Sequence, residues 1–286
     1  MGDLFDTGLR PVVDAWLLAK SKEERSYGDY WSASSAGYCM RKVMFERLGV
    51  PKVESEDDAR KQRVFTSGHL FHEWMQKITR EAGISIAQEL ELQDEELMIR
   101  GHIDDLVLIS REVTLSPEEL GFKKTSVAIE VDHHLILYDY KTRNSRNFEY
   151  AREMSYFHKM QLGTYMYMLR KEQAKRTDNG LKLWPWSEPE LTEGRILNLE
   201  KDTLRMIETQ LLWNPQLESE VFDYWNTLNA YWKNKTFPKC TCDAHEGGFM
   251  AKEKWNGYFY EGEPCSIKWY EKWKKENDIQ EPAHTN

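Results

Sequence analysis

The sequence contains no run of about 18 or more apolar residues, so no membrane-spanning helix is expected. Its first residues, MGDLFDTGLR, lack the basic-then-apolar pattern of a secretory leader. Gly2 is not followed by a Ser or Thr where a myristoylation signal needs one. A cytoplasmic protein with no membrane partner is the expectation. The phosphate-cradling pattern G-x-x-x-x-G-K-[ST] is missing, which excludes a fused helicase motor. No repeat or low-complexity segment is present. Positive charge is also short: 39 Lys and Arg against 48 Asp and Glu leave a net charge of −9. That argues against a broad surface coating nucleic acid, which requires many Lys and Arg. A narrow basic groove around an acidic, metal-loaded centre stays compatible. Cysteine is scarce, at four residues. In a reducing compartment these are metal ligands or small buried hydrophobes rather than disulfides.

With 286 residues, the chain is long enough for one large domain or two small ones with a sizeable core. Residues 31–50 carry apolar positions near helical spacing, stopped by Gly49 and Pro51. A second helical pattern runs from Val64 to Ala82. From Ile84 the period changes to that of strands, over 84–92, 97–109 and 134–140. The stretch 111–128 between them looks like an insertion or a long hairpin loop. A long helical pattern covers about Tyr150 to Gln173 and breaks at Asp178-Asn179-Gly180. A strand over 194–199 and helices over 202–213 and 218–233 follow, and then an irregular aromatic tail. This order suggests an α/β core flanked by helices.

Hydrolysis of a phosphodiester needs a divalent metal, an activated water and a cation for the developing charge. Mg2+ and Mn2+ take carboxylate oxygens, and Mn2+ accepts imidazole as well. In the strand LILYDYKT, Asp139 and Lys141 project to the same face. In IRGHIDDLVLI, Asp104 follows Gly101 on a neighbouring strand and can face the same site; a register slip of one would bring Asp105 instead. His69 sits on the preceding helical pattern, and Gln161 and Tyr165 lie four apart on one helical face. Glu89 would lie nearby as a supporting or an exposed strand carboxylate.

Together, His69, Gly101-x-x-Asp104, Asp139-x-Lys141 and Gln161-x-x-x-Tyr165 resemble the RecB-like branch of the PD-(D/E)XK nuclease superfamily, in that family's order. Residues 32–49, with Cys39-x-Arg41 and Leu48-Gly49, look like the N-terminal cysteine motif of its iron–sulfur exonucleases. Those include the stand-alone nucleases of CRISPR adaptation and related phage enzymes. The resemblance implies a restriction-endonuclease-like α/β core over 64–200, with a mixed central sheet flanked by helices. An N-terminal helical segment, 1–63, and C-terminal helices with a cysteine tail, 201–286, would be joined at a cysteine cluster.

The implied activity is metal-dependent DNA exonuclease action on single-stranded or end-exposed DNA. An endonuclease, a CRISPR spacer-processing subunit and a non-catalytic DNA-binding or assembly protein keeping the fold are the alternatives. Any unwinding would come from a helicase, recombination or CRISPR-adaptation partner. The resemblance assigns His69, Asp104 and Asp139 as ligands of Mg2+ or Mn2+, with the Tyr140 carbonyl completing the shell. Lys141 would position water, and Gln161 and Tyr165 would contact DNA or order the site.

The resemblance also assigns Cys39, Cys240, Cys242 and Cys265 to a 4Fe-4S cluster, one cysteine ahead of the core and three behind it. Here Cys240 and Cys242 are separated by one residue where two are commoner. Zinc, with His245 replacing Cys39, and unligated thiols are the other readings. After the D-x-K, Arg143, Arg146, Arg152, Lys159, Arg170, Lys171, Lys175 and Arg176 would line a DNA groove or form a solvated helix face. Arg41 would help hold the DNA backbone. Trp184, Trp186, Trp255, Trp269 and Trp273 would stack on bases or join the core.

Overall fold

The computed structural model describes residues 9–21, 29–53, 58–115, 128–178, 189–243, 246–252 and 256–277. Six strands form one mixed sheet. β2 (Ser85–Asp94), β3 (Ile99–Leu115) and β4 (Ala128–Arg143) make an antiparallel meander. β5 (Glu193–Glu200) runs parallel to β4, and β6 (Met206–Leu212) returns antiparallel beside β5. A two-residue strand, β1 (Trp31–Ser32), pairs in parallel with the start of β3. The parallel β4–β5 pair needs a crossover, and the 23-residue helix α5 (Tyr156–Asp178) supplies it.

The pairing of β3 creates a gap. β2 pairs with β3 over residues 99–107 and β4 over 105–115, so they hold opposite edges where they overlap. β1 joins at Ile99 and Arg100, where β2 already holds one edge, so β1 and β4 share the other. Between them, residues 101–104 have no ladder partner on that edge.

Neighbouring strand residues point to opposite faces, and the two faces carry different cores. Helix α3 (Asp58–Glu81) covers the face of Val107, Ile136, Tyr138, Tyr140 and Leu197, with Met75 packed on them. The other face, with Leu106, Leu135 and Leu137, is covered by α5, and α6 (Pro215–Lys233) covers α5 in turn. Sandwiched this way, α5 buries Met160, Leu162, Met166 and Leu169 on several sides. Each such side chain contributes about 1.5–3 kcal/mol on burial. Close approach explains two glycines: a Cβ on Gly163 would lie 2.9 Å from Leu217, and one on Gly194 would lie 2.9 Å from Met166. Asn214 caps α6 by accepting from the Leu217 N–H, with Pro215 in the first turn.

Several elements differ from the sequence expectation. Residues 202–213, expected as a helix, form a turn and β6. Exposed Met206, Glu208, Gln210 and Leu212 alternate there with more buried Ile207, Thr209 and Leu211, and pairing with β5 overrides a weak helical pattern. The turn is fixed by Glu200, buried and bonded to Thr203 and Arg205. The helix expected from about Tyr150 starts at Tyr156, after α4 (Ser145–Phe148) and a 3-10 turn, Glu149–Arg152. Helix α3 begins at Asp58 rather than Val64, and the helix within 31–50 is confined to α2 (Met40–Arg47). The tail contains α7 (Ile267–Glu276), whose Trp269, Tyr270 and Trp273 pack against the buried cluster that includes Cys39, Cys242, Cys265 and Phe45. The sheet also takes β1 and β6 from outside 64–200. Residues 116–127, Asn179-Gly180, Trp184, Trp186, His245 and Trp255 lie outside the described residues.

Candidate metal-binding and catalytic site

The last ladder pair between β3 and β4 is Asp105 with Tyr138, so Asp104 and Asp139 follow where the strands part. The Tyr140 N–H bridges the fork by donating to Asp104 Oδ2 at 2.6 Å. On the β2 side, Gln88 pairs with Asp105 and Leu90 with Ile103, but Glu89 and Asp104 are skipped. Glu89 adopts φ +50°, a conformation that costs energy for a non-glycine residue. The Asp104 carbonyl freed by this skip accepts from Gln76 Nε2 at 3.0 Å, and the same nitrogen donates to Glu89 Oε1 at 2.8 Å. A buried glutamine of α3 thus completes the interrupted ladder.

Asp139 is 4% exposed. Lys141 Nζ lies 2.8 and 2.7 Å from its two carboxylate oxygens, and Gln161 Nε2 donates to Oδ1 at 3.2 Å. Burial, with Asp139 adding to it, pushes the Asp104 carboxyl up to about 8. Burial opposes the charge on Lys141, but Asp139 and Asp104 prevail and raise it. The fork is therefore an acid pair short of positive charge, with one ammonium beside it.

The histidine that reaches this pair is His72. Its Nδ1 lies 3.5 Å from Asp104 Oδ2. Burial and then Lys141 lower its pKa, favouring the neutral imidazole that binds metals. His69 is exposed one turn earlier, with its ring 6.4 Å from that of His72. Helical phase explains the difference: Gly68, His72, Gln76 and Thr79 share the sheet-facing side, where a Cβ on Gly68 would lie 3.4 Å from Thr142. His69 sits about 100° around the helix.

Asp105 is fully buried on the α3 side and accepts from Thr79, Ser85, Gln88 and the Tyr140 hydroxyl at 2.5–3.1 Å. Its hydrogen bonds hold α3, β2 and β4 together and leave it turned from Asp139. Tyr165 is 6% exposed and packs on Gly101, where a Cβ would lie 2.9 Å from its ring. It is core. Arg143 bonds Asn198 at 3.1 Å and approaches His158 Nδ1 at 3.2 Å. Most of the basic residues further on have acidic partners: Arg152 with Glu149, Lys159 with Glu220, Arg170 with Glu190, Lys171 with Asp94 and Glu96. Arg146 is exposed, and the side chains of Lys175 and Arg176 lie outside the described residues.

The second feature is a clasp between the two ends of the chain. The sulfurs of Cys39, Cys240, Cys242 and Cys265 all lie within 4.8 Å of one another, the one such ligand set among the described residues. Cys39 begins α2, and Cys242 and Cys265 are buried with Phe45 and Tyr258. Sulfur–sulfur distances of 3.9 Å (Cys39–Cys240) and 3.5 Å (Cys242–Cys265) are far too long for disulfides. The Thr241 N–H and the Asn256 amide donate to the sulfurs at 3.4–3.5 Å, as thiolate sites require. Hydrogen bonds from Cys240, Cys242 and Cys265 hold the Cys39 thiol low, while Cys242 and Cys265 are driven up. Four crowded thiols cannot all ionise without a cation, so the donor set fits a thiolate-bound metal. Arg41, expected at DNA, instead ties this clasp, donating to Pro238 O at 2.7 Å and Cys265 O at 3.4 Å.

No protein-family profile matches the chain, and no curated protein matches it. Among solved structures it is similar to the crystal structure of SSO0001, with 13% identity and a TM-score of 0.45. The alignment covers 82% of this chain and 91% of that one. What the chain establishes by itself is a mixed α/β protein with a cysteine clasp able to bind metal, and no described helix long and apolar enough to cross a membrane.

Proposed function

We propose that the chain is a metal-dependent deoxyribonuclease of the PD-(D/E)XK type, acting as an exonuclease on single-stranded or end-exposed DNA. The observation that carries this reading is the fork: Asp104, Asp139 and Lys141 brought together by strand pairing, with His72 against Asp104. Asp104, Asp139 and the neutral His72 would hold Mn2+ or Mg2+, with the Tyr140 carbonyl as a further oxygen. The metal, when bound, supplies charge neutralisation at the phosphate and a water of lowered pKa. Lys141, kept charged by the two acids, orients the water and faces the developing negative charge. Gln161 holds Asp139 in place, and Asp105 holds the Tyr140 side chain.

The clasp would hold a metal that pins the segment around Cys39 to the C-terminal region. A 4Fe-4S cluster is the occupant that the sequence resemblance implies. A single zinc ion is the other occupant: sulfurs at about 2.3 Å from one tetrahedral ion stand close to 3.8 Å apart, near the 3.9 and 3.5 Å of the Cys39–Cys240 and Cys242–Cys265 pairs. A four-iron cluster separates them by about 6 Å, because irons and sulfides lie between. The test of function is degradation of end-labelled linear and closed circular single-stranded DNA with Mn2+, with Mg2+ and with a chelator. Loss of the linear substrate alone, and only with metal, is the expected outcome; no degradation under any condition sinks the reading.

A further inference from the structure

The sheet ends at β6, whose outer edge no described strand covers. The Trp213 N–H donates to Thr192 and the Glu200 N–H to Arg205, so the odd-numbered residues of β6 turn their backbone groups toward β5. Met206, Glu208, Gln210 and Leu212 turn theirs outward. Among the described residues only the Asn214 side chain reaches one of these groups, donating to the Leu212 carbonyl at 3.2 Å. An open edge is normally blunted by proline, lysine or a bulge. The strand MIETQLL has no proline or lysine, and its ladder with β5 runs without a register shift. Its one charge, Glu208, is held by Arg195 at 2.9 Å. Met206 and Leu212 are 46% and 56% exposed, and the buried Thr209 hydroxyl has no hydrogen-bond partner among the described residues. The other long edge, β2, is interrupted at Glu89.

Such an edge pairs with a strand whose outward groups match its own, and a second copy of β6 does so about a two-fold axis. Antiparallel pairing about Thr209 matches the whole strand: Met206 with Leu212, Ile207 with Leu211, and Glu208 with Gln210. The outward-turned residues exchange both backbone bonds with their counterparts, and the exposed apolar ends cover each other. The two Thr209 side chains meet at the axis as a close pair, so each hydroxyl gains the other as partner. An axis moved to Glu208 sets like charges opposite one another, and one moved to Gln210 leaves Met206 beyond the end of the pairing. We propose that two copies of the chain join edge to edge through β6, antiparallel about Thr209, in one continuous sheet. The pairing is independent of the nuclease reading.

Sedimentation velocity of the full chain over a dilution series should show a monomer–dimer equilibrium. Gln210→Pro removes an outward N–H while keeping the bonds to β5, and should leave a monomer that melts near wild type. Gln210→Lys faces Glu208 at both ends of the pairing and should tighten the dimer about two- to thirtyfold; Gln210→Glu should weaken it by as much. Thr209→Cys sets two sulfurs across the axis, where antiparallel Cα atoms stand about 4.5 Å apart. Under mild oxidation it should form a cross-linked dimer that wild type does not. Wild type that stays monomeric at every concentration overturns the pairing. So does a dimer that a folded Gln210→Pro leaves unchanged, one equally strong in Gln210→Lys and Gln210→Glu, or a Thr209→Cys protein that fails to cross-link. If the proline variant does not fold, the charge variants and the cross-link decide.

Discussion

Replacing Asp104 by asparagine should stabilise the metal-free protein, because burial, with Asp139 adding to it, penalises the Asp104 charge. Asn is nearly isosteric, and its carbonyl oxygen can still accept the Tyr140 N–H that Asp104 Oδ2 accepts at 2.6 Å. The folded chain holds the Asp104 carboxyl at about 8, against 3.8 for an ordinary aspartate. Each tenfold in proton affinity is worth roughly 1.4 kcal/mol, so the penalty at pH 7 has a ceiling of about 4 kcal/mol. The side chain is 17% exposed, and solvent and local relaxation halve this to about 2 kcal/mol. Removing it should raise the melting temperature by about 4 °C in a chain of this size.

The pH dependence follows with a definite sign. Between about pH 4 and 8 the folded state binds the Asp104 proton and the unfolded state has lost it, so this contribution is full below pH 4 and lost as pH rises to 8. Asp104→Asn removes that decline. Melts from pH 4 to 8.5 in chelator check both the offset and the slope. A variant melting at or below wild type at pH 7.5, with the decline unchanged, refutes the penalty on the buried Asp104 carboxylate. Adding saturating Mn2+ should reverse the ranking, since the metal stabilises only the form that binds it.

The packing and the clasp offer two further checks. Gly101→Ala places a Cβ 2.8 Å from Ala33 Cβ and 2.9 Å from the Tyr165 ring, and should cost about 1–3 kcal/mol in denaturant melts. Ala33→Gly in the same chain should restore part of it, and a fully additive double mutant contradicts that contact. Cys265→Ser should remove the bound metal and lower stability by several kcal/mol, read by elemental analysis and melting. About four irons per wild-type chain assigns the cluster and one zinc assigns the single ion; no metal in either protein overturns the clasp as a metal site.

The strands of the fork were legible because their pattern is local: LILYDYKT and IRGHIDDLVLI announce strand period and place Asp104, Asp139 and Lys141. The joining of Cys39 to the distant cysteines was legible too, through the resemblance rather than through any periodicity. Helical phase was harder to read. His69 and His72 are both on α3, and only the packing of Gly68, Gln76 and Thr79 against the sheet shows which one turns inward. Gln161 and Tyr165 share a helical face, yet one meets Asp139 and the other fills the space over Gly101, because α5 is buried on several sides. Arg41 read as a phosphate contact because its carbonyl acceptors, at Pro238 and Cys265, are set by tertiary structure alone. Strand β6 was missed because its apolar residues suit either period until β5 pairs with it.

The most direct test of the fork as a nuclease centre compares wild type, Asp139→Asn and Lys141→Met on end-labelled single-stranded DNA with Mn2+, their folds matched by circular dichroism. The account predicts metal-dependent degradation by wild type and a loss of at least about a hundredfold in each variant. Degradation by either variant at the wild-type rate would contradict it.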